Sequence, residues 1–145
     1  MNFEPSFNGS EKLKNRWINE NHENLLPLRT KLLQIDGKEV VPMEEIHLEM
    51  LLNKGKIINY SNITKIDGGR PSKCHQNSVI LYEQNEEITH IGTGWCLSDD
   101  GLWRQHSWCM INDEIIETTT KRNIYFGVLL NGNKAKKFIK SIAMY

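Results

Sequence analysis

The pattern of apolar positions divides the chain into a helical first third, a strand-rich middle and a short terminal helix. Leu13 and Trp17, four residues apart, mark one face of a first helix for which Ser10 is a candidate N-cap. A second helix is expected from about Asn24 to Gln34, with Pro27 tolerated in its first turn and a stop at Asp36-Gly37. Met43, Ile46, His47, Met50 and Leu51 then recur at helical spacing. A third helix is therefore expected to open at Pro42, carry Glu44 and Glu45 at its positive end and close at Lys54-Gly55. His47, on that apolar stripe, reads as a packed core residue. Beyond Lys56 the texture changes: Ile57 and Ile58 predict a short strand, and 61–73 a loop centred on Asp67-Gly68-Gly69-Arg70-Pro71. The stretch 74–85 predicts a helix with Ser72 as a possible cap. Segments 88–97, 102–111, 114–120 and 124–130 are rich in Ile, Thr, Trp and Val. Turn chemistry at Ser98-Asp99-Asp100-Gly101 and Asn112-Asp113 separates them, which predicts an antiparallel meander. A basic helix over 133–143, docked by Phe138, Ile139 and Ile142, closes the chain.

Composition sets the scale of this arrangement. A chain of 145 residues and 16.9 kDa, 39% hydrophobic and 25% charged, fits one domain able to bury a core. It divides into a helical part (1–55), a helix-plus-sheet part (56–130) and a terminal helix (131–145). The expected class is α+β: N-terminal helices, and a central helix beginning at Cys74 packed on an antiparallel sheet of about four strands. Eighteen Lys and Arg offset eighteen Asp and Glu at a pI near 7.0, so no overall field draws in nucleic acid or an anionic membrane. The apolar runs are too short for a membrane span and the first ten residues lack the form of a signal peptide, so a cytoplasmic protein is expected. Three cysteines, an odd number, do not make a disulfide framework and leave at least one free thiol.

That thiol raises the question of chemistry. Cys74 is expected in the first turn of a helix, where the dipole and unpaired N–H groups stabilise a thiolate and can hold an oxyanion. A small buried cysteine is the competing reading. A four-residue loop at 98–101 would pair Leu97 with Leu102 and put His106 opposite Thr93, on the face of Ile91, Trp95 and Trp108. Gly92 and Gly94 would then lie on the opposite face. An even-length turn at Asn112-Asp113 would pair Trp108 with Glu117 and His106 with Thr119, leaving His106 and Glu117 as diagonal neighbours about 7 Å apart at the backbone. A carboxylate there would hold the ring and favour its protonated form, as a Cys-His pair needs. His75 projects away from Cys74 on the helix and reads as a capping or surface residue. Cys96 and Cys109 read as packing residues, and no metal site is expected because the His and Cys spacings supply no paired ligands. Gly92-Thr93-Gly94 lies within a strand and is a weak phosphate signal.

Cys74-His75-Gln76-Asn77, His106-Ser107-Trp108 and Ile116-Glu117-Thr118-Thr119, in that order, resemble the papain-like and transglutaminase-like superfamily of cysteine enzymes. The resemblance spans roughly Gly68 to Gly127 and implies Cys74 as nucleophile, His106 as general base and acid, and Glu117 as orienting acid. The chain departs from the pattern in two ways. No Gln precedes the cysteine in Arg70-Pro71-Ser72-Lys73, which leaves the Cys74 N–H with Gln105, Asn77 or Tyr60 as oxyanion partners, and the acid is Glu followed by Thr118 rather than Pro. The expected function is a small cysteine hydrolase or acyl transferase, without cofactor, acting on an amide, isopeptide or thioester carbonyl of a peptide, protein or small molecule. The alternative is a non-catalytic module holding a peptide or small molecule on a surface of Trp95, Trp103 and Trp108. A third reading is a phosphate or nucleotide binder using Asp67-Gly68-Gly69-Arg70. Nothing in the sequence bears on oligomeric state.

Overall fold

The computed structural model describes residues 11–143, so the candidate cap Ser10 lies outside the described residues. Helix α1 (Glu11–Asn19) buries Leu13 and Trp17. A 3-10 turn (Glu23–Leu25) leads into α2 (Leu26–Ile35), which carries Pro27 where its missing N–H would have had no helical acceptor and buries Leu28 and Leu32, one turn apart. Gly37, at φ +94°, turns the chain into β1 (Glu39–Val40). Then follow α3 (Leu48–Lys54), β2 (Lys56–Ile57), β3 (Asn62–Lys65), α4 (Cys74–Gln84), β4 (His90–Leu97), β5 (Leu102–Ile111), β6 (Glu114–Glu117), β7 (Ile124–Leu130) and α5 (Gly132–Ala143).

This is an α+β fold, but its sheet has seven strands rather than four and is mixed rather than antiparallel. The four strands β4 to β7, expected as a meander, are antiparallel but not in meander order: β7 crosses over to pair with β4 rather than β6, so the centre runs β7-β4-β5-β6. Three short strands extend it: β2 antiparallel to β7, β3 parallel to β6 and β1 parallel to β5. Strands of two to four residues show no alternation to read. β3 lies inside the stretch expected to be loop.

Other expectations also change. The third helix begins at Leu48, not Pro42, because the Glu45 carboxylate accepts the His47 N–H (3.0 Å) and the Trp95 indole N–H (3.0 Å) and fixes 42–47 as a turn. His47 is therefore the half-buried N-cap residue, against Phe138 and Ser141, rather than a core residue on a stripe. Ser72 adopts φ +60° and does not cap α4; Lys73 precedes that helix without a side-chain cap. The β4–β5 loop is one residue longer than expected, since Gly101 at φ +83° inserts a left-handed residue and the Asp100 carboxylate accepts the Leu102 N–H. Leu97 consequently pairs with Trp103, and His106 stands opposite Gly94.

This register puts Ile91, Trp95, Leu97, Trp103, Phe126, Val128 and Leu130 in one core with Leu13, Trp17, Leu28, Leu32 and Leu51 from the helices. Cys96, Trp108, Met110, Ile115 and Tyr125 form a second cluster, closed by Ile58. Trp95, Trp103 and Trp108 are each 0% exposed, so the tryptophan surface of the binding-module alternative does not exist. At about 150–250 Å² per indole and about 25 cal/mol per Å², each contributes several kcal/mol as core. Gly92 and Gly94 lie on the His106 face, not opposite it: Gly92 is paired with Trp108, whose ring a Cβ at Gly92 would meet at 2.1 Å. Gly92→Ala is expected to lower stability by about 1–3 kcal/mol, read from the denaturant midpoint. An unchanged midpoint would mean that the indole does not lie there.

Candidate active site

β5 pairs with β4 from Trp103 to Met110 on one side but is shared on the other. There β1 takes Leu102 and Trp103 and β6 takes Cys109, Met110 and Ile111, so 104–108 have no strand partner on that side among the described residues. Cys74, the first residue of α4, reaches this gap, beside the Ser107 backbone N–H that helps lower its thiol pKa. Cys109 opposite Ile116 sets the β5–β6 register and carries the Glu117 carboxylate to the His106 ring. The parity expected across the Asn112-Asp113 turn is the parity found.

His106 and Glu117 are both fully buried. The ring donates from Nε2 to Glu117 Oε1 at 2.8 Å, and that oxygen also accepts the Tyr125 hydroxyl at 2.7 Å. Glu117 Oε2 accepts the Thr119 N–H (3.1 Å) and hydroxyl (3.3 Å). Nε2 being occupied, the contact between His106 and Cys74 runs through Nδ1, which makes no formed hydrogen bond among the described residues. Such a contact is looser than a formed hydrogen bond, as is common before a substrate binds.

The electrostatics of the three groups are mutual. Burial pushes the Cys74 thiol up, but the contact with His106, its charge and the Ser107 N–H outweigh it and hold the thiol below its ordinary value. Burial pushes His106 down, yet Cys74 and Glu117 together raise it. Burial pushes Glu117 up, while His106, Tyr125 and the Thr119 N–H bring it below the ordinary carboxylate range. The three directions are mutually consistent: each contact favours the charged form of its partner, thiolate at Cys74, imidazolium at His106 and carboxylate at Glu117. By contrast, burial raises Cys96 well above the ordinary thiol value and pushes Cys109 up to about 12. Cys109 donates to the Ser78 carbonyl at 3.3 Å.

The structure distributes the remaining sequence candidates differently. Gln105 borders the same cavity as Cys74, but its amide donates to Glu44 O (2.9 Å) and Glu45 Oε1 (3.2 Å). It is therefore engaged rather than a free oxyanion donor. Asn77 clamps the loop before α4, accepting the Arg70 N–H (3.1 Å) and donating to the Arg70 carbonyl (2.9 Å), so it is not an oxyanion donor either. Tyr60 packs its edge on Tyr125, 6.0 Å between centroids, and does not line the cavity. Trp95 is core, and Trp108 stacks beside the His106 ring at 6.1 Å, a wall of the site rather than a ligand surface. His75 is neither cap nor surface: its Nδ1 meets Ser107 Oγ at 2.5 Å and its Nε2 meets Gln105 Oε1 at 3.2 Å. Because Gln105 Oε1 only accepts, His75 carries its proton on Nε2, which leaves Nδ1 facing the Ser107 hydroxyl that also meets Thr93 Oγ1 at 3.0 Å. Burial keeps it neutral, with its pKa lowered.

A cavity of about 670 Å³ opens in front of Cys74 and His106, walled by Val41, Met43, Pro71, Gln105 and 118–120. Asn77 N–H is the first to find its helical acceptor, Lys73 O, so the N–H groups of Cys74, His75 and Gln76 stand free of the helical ladder. A second cavity, about 630 Å³, borders Asp67, Gly68, Gly69 and Arg70, but the Arg70 N–H is already bonded to Asn77, which removes a donor from the phosphate reading. Sequence reasoning missed Tyr125, Thr119, the Ser107 N–H and Arg122. Of these, Thr119 carried a signal, since a hydroxyl residue two positions after an acid caps that acid's own side chain. Among the described residues no three His, Cys, Asp or Glu side chains group to hold a metal ion, and no helix is long and apolar enough to cross a membrane. No family model matches the chain, and no curated protein and no solved structure is significantly similar to it, so the grouping of Cys74, His106 and Glu117 rests on its own geometry.

Proposed function

We propose that the protein is a cysteine hydrolase or acyl transferase in which Cys74 is the nucleophile, His106 the general base and acid, and Glu117 the group that orients and charges the ring. The observation that carries this reading is the buried His106 ring held between Glu117 and the Cys74 thiol, with the thiol pKa lowered and the imidazole pKa raised. A structural cysteine at 0% exposure in this protein shows the opposite behaviour, as Cys96 does. We read α4, β5 and β6 as a papain-like or transglutaminase-like core, enlarged by the short strands and N-terminal helices.

The Cys74 thiolate attacks the carbonyl carbon of an amide, isopeptide or thioester, and the oxyanion that forms lies against the free N–H of Cys74 at the start of α4. The S–C bond stays, the bond to the amine or thiol breaks, and His106 gives its proton to the leaving group. A water molecule or an amine then loses a proton to His106 and attacks the acyl-enzyme, releasing acid or amide and restoring thiolate and imidazolium. No cofactor enters the cycle. Three reduced thiols suit a cytoplasmic setting, and the substrate is a peptide, a protein or a small amide.

The test is to trap the acyl-enzyme with p-nitrophenyl acetate and locate the adduct by peptide mass spectrometry. One acetyl group on Cys74, and none on Cys96 or Cys109, is expected. Acetylation confined to lysines would remove Cys74 from the role of nucleophile.

A further inference from the structure

Apart from the Cys74 thiol itself, the ionisable side chains that line the cavity are all cationic. Lys65, Arg104 and Arg122 line it together with the His106 ring, and no Asp or Glu is among its lining residues. Two of the three cations are answered from outside: Arg104 by Asp100 at 2.7 Å, and Lys65 by Asp67 at 3.7 Å. Arg122 is not. Its Nη1 donates to the Thr120 carbonyl of its own loop, its Nε is buried with no acceptor, and no carboxylate pairs with it among the described residues. A half-buried guanidinium without an anion is held at a desolvation cost that an incoming anion would offset.

We infer that the substrate of this site carries a carboxylate near the carbonyl that Cys74 attacks, and that Arg122 is its anchor. The inference rests on the acyl-transfer reading and adds the class of substrate. One unanswered cation calls for one negative charge, and with Nη1 engaged and Nε buried, Nη2 is the nitrogen left to donate to a carboxylate oxygen. The rest of the wall adds no further cation: Val41, Met43 and Pro71 are apolar and Ser72, Gln105 and Thr118, Thr119 and Thr120 are neutral, which suits a monoanion better than a phosphate dianion. Amides and thioesters of dicarboxylic acids, or peptide bonds beside an acidic or terminal carboxylate, have this form.

The experiment compares the rate constants for alkylation of Cys74 by iodoacetate and by iodoacetamide, resolved by peptide mass spectrometry. Both reagents draw on the same thiolate, so their ratio cancels any change in its population and reports the preference for a carboxylate. In the unaltered protein the ratio is expected to exceed that of glutathione by about tenfold at low salt and to fall severalfold at about 0.5 M salt. His106 contributes to that excess, and Arg122→Gln isolates the other share: the ratio should drop by roughly fivefold there, with most of it kept in Arg122→Lys. A ratio equal in Arg122→Gln and wild type, or a wild-type ratio insensitive to salt, overturns the inference. At matched ionic strength glutarate should shield Cys74 from iodoacetamide better than inorganic phosphate, and the reverse order would overturn the assignment to a carboxylate. A Cys74 no faster than glutathione with iodoacetamide would instead overturn the acyl-transfer reading beneath it.

Discussion

Replacing His106 by alanine is expected to slow acetylation of Cys74 by p-nitrophenyl acetate about 10²-fold, or about 2.7 kcal/mol in barrier. This is the low end for a positioned acid-base group, because p-nitrophenolate departs without being protonated and only the loss of thiolate is felt. The direction follows from the balance at the sulfur. Burial raises the thiol pKa, and the contact and charge of His106 are what reverse it. Without the ring, burial is left against the Ser107 N–H, and the thiolate at neutral pH becomes scarce. A leaving group that must be protonated to depart, such as an alkyl amine, would suffer the larger loss, toward 10⁴-fold. Initial rates of acetyl transfer for the wild type and His106→Ala measure the first figure directly. Equal rates would leave His106 without a role in the reaction.

Glu117→Ala is expected to destabilise the fold by about 3–5 kcal/mol, since it leaves a buried imidazolium unpaired and strips the Tyr125 hydroxyl and Thr119 of their acceptor. Denaturant midpoints compared at constant slope measure it. Glu117→Gln keeps the volume and an acceptor oxygen, and should retain most of the stability while slowing acyl transfer about tenfold, or about 1.4 kcal/mol. A pH dependence follows. The carboxyl is held below its ordinary value in the folded protein, so its contribution is present above about pH 4.3, the unfolded value, and is lost as the pH falls through the folded one. The acid limb of the stability profile should therefore flatten in Glu117→Gln. A wild-type midpoint for Glu117→Ala would mean that the carboxylate is not buried against the ring.

The pairing of His106 with Glu117 was legible because it depends on parity across a turn of even length, which Asn112-Asp113 supplies whatever its geometry. The helix at Cys74 was legible for a similar reason: a Gly-rich stretch and Pro71 precede an uninterrupted run of helix-compatible residues. The β4–β5 register was not, since one left-handed glycine, Gly101, adds a residue that no pattern of side chains announces. The third helix misled because Met43 and Ile46 sit at helical spacing yet are exposed, while Glu45 between them is drawn inward to Trp95 and the His47 N–H. Tertiary hydrogen bonds decided that segment, and periodicity has no access to them. Tyr125 and Arg122 were invisible for a related reason: their partners lie on other strands or in the same loop, at distances set only when β7 closes on β4.

The central claim is that Cys74 rests as a thiolate beside a protonated His106, and the rate of its alkylation by iodoacetamide against pH tests it most directly. The thiol pKa being lowered and that of the imidazole raised, the alkylation profile of Cys74 should titrate below about pH 8.5, the ordinary thiol value, with Cys96 and Cys109 unreactive through that range. In His106→Ala the same profile should move to alkaline pH. A single titration at or above about pH 8.5, identical in the wild type and in His106→Ala, would show Cys74 to be a packing thiol.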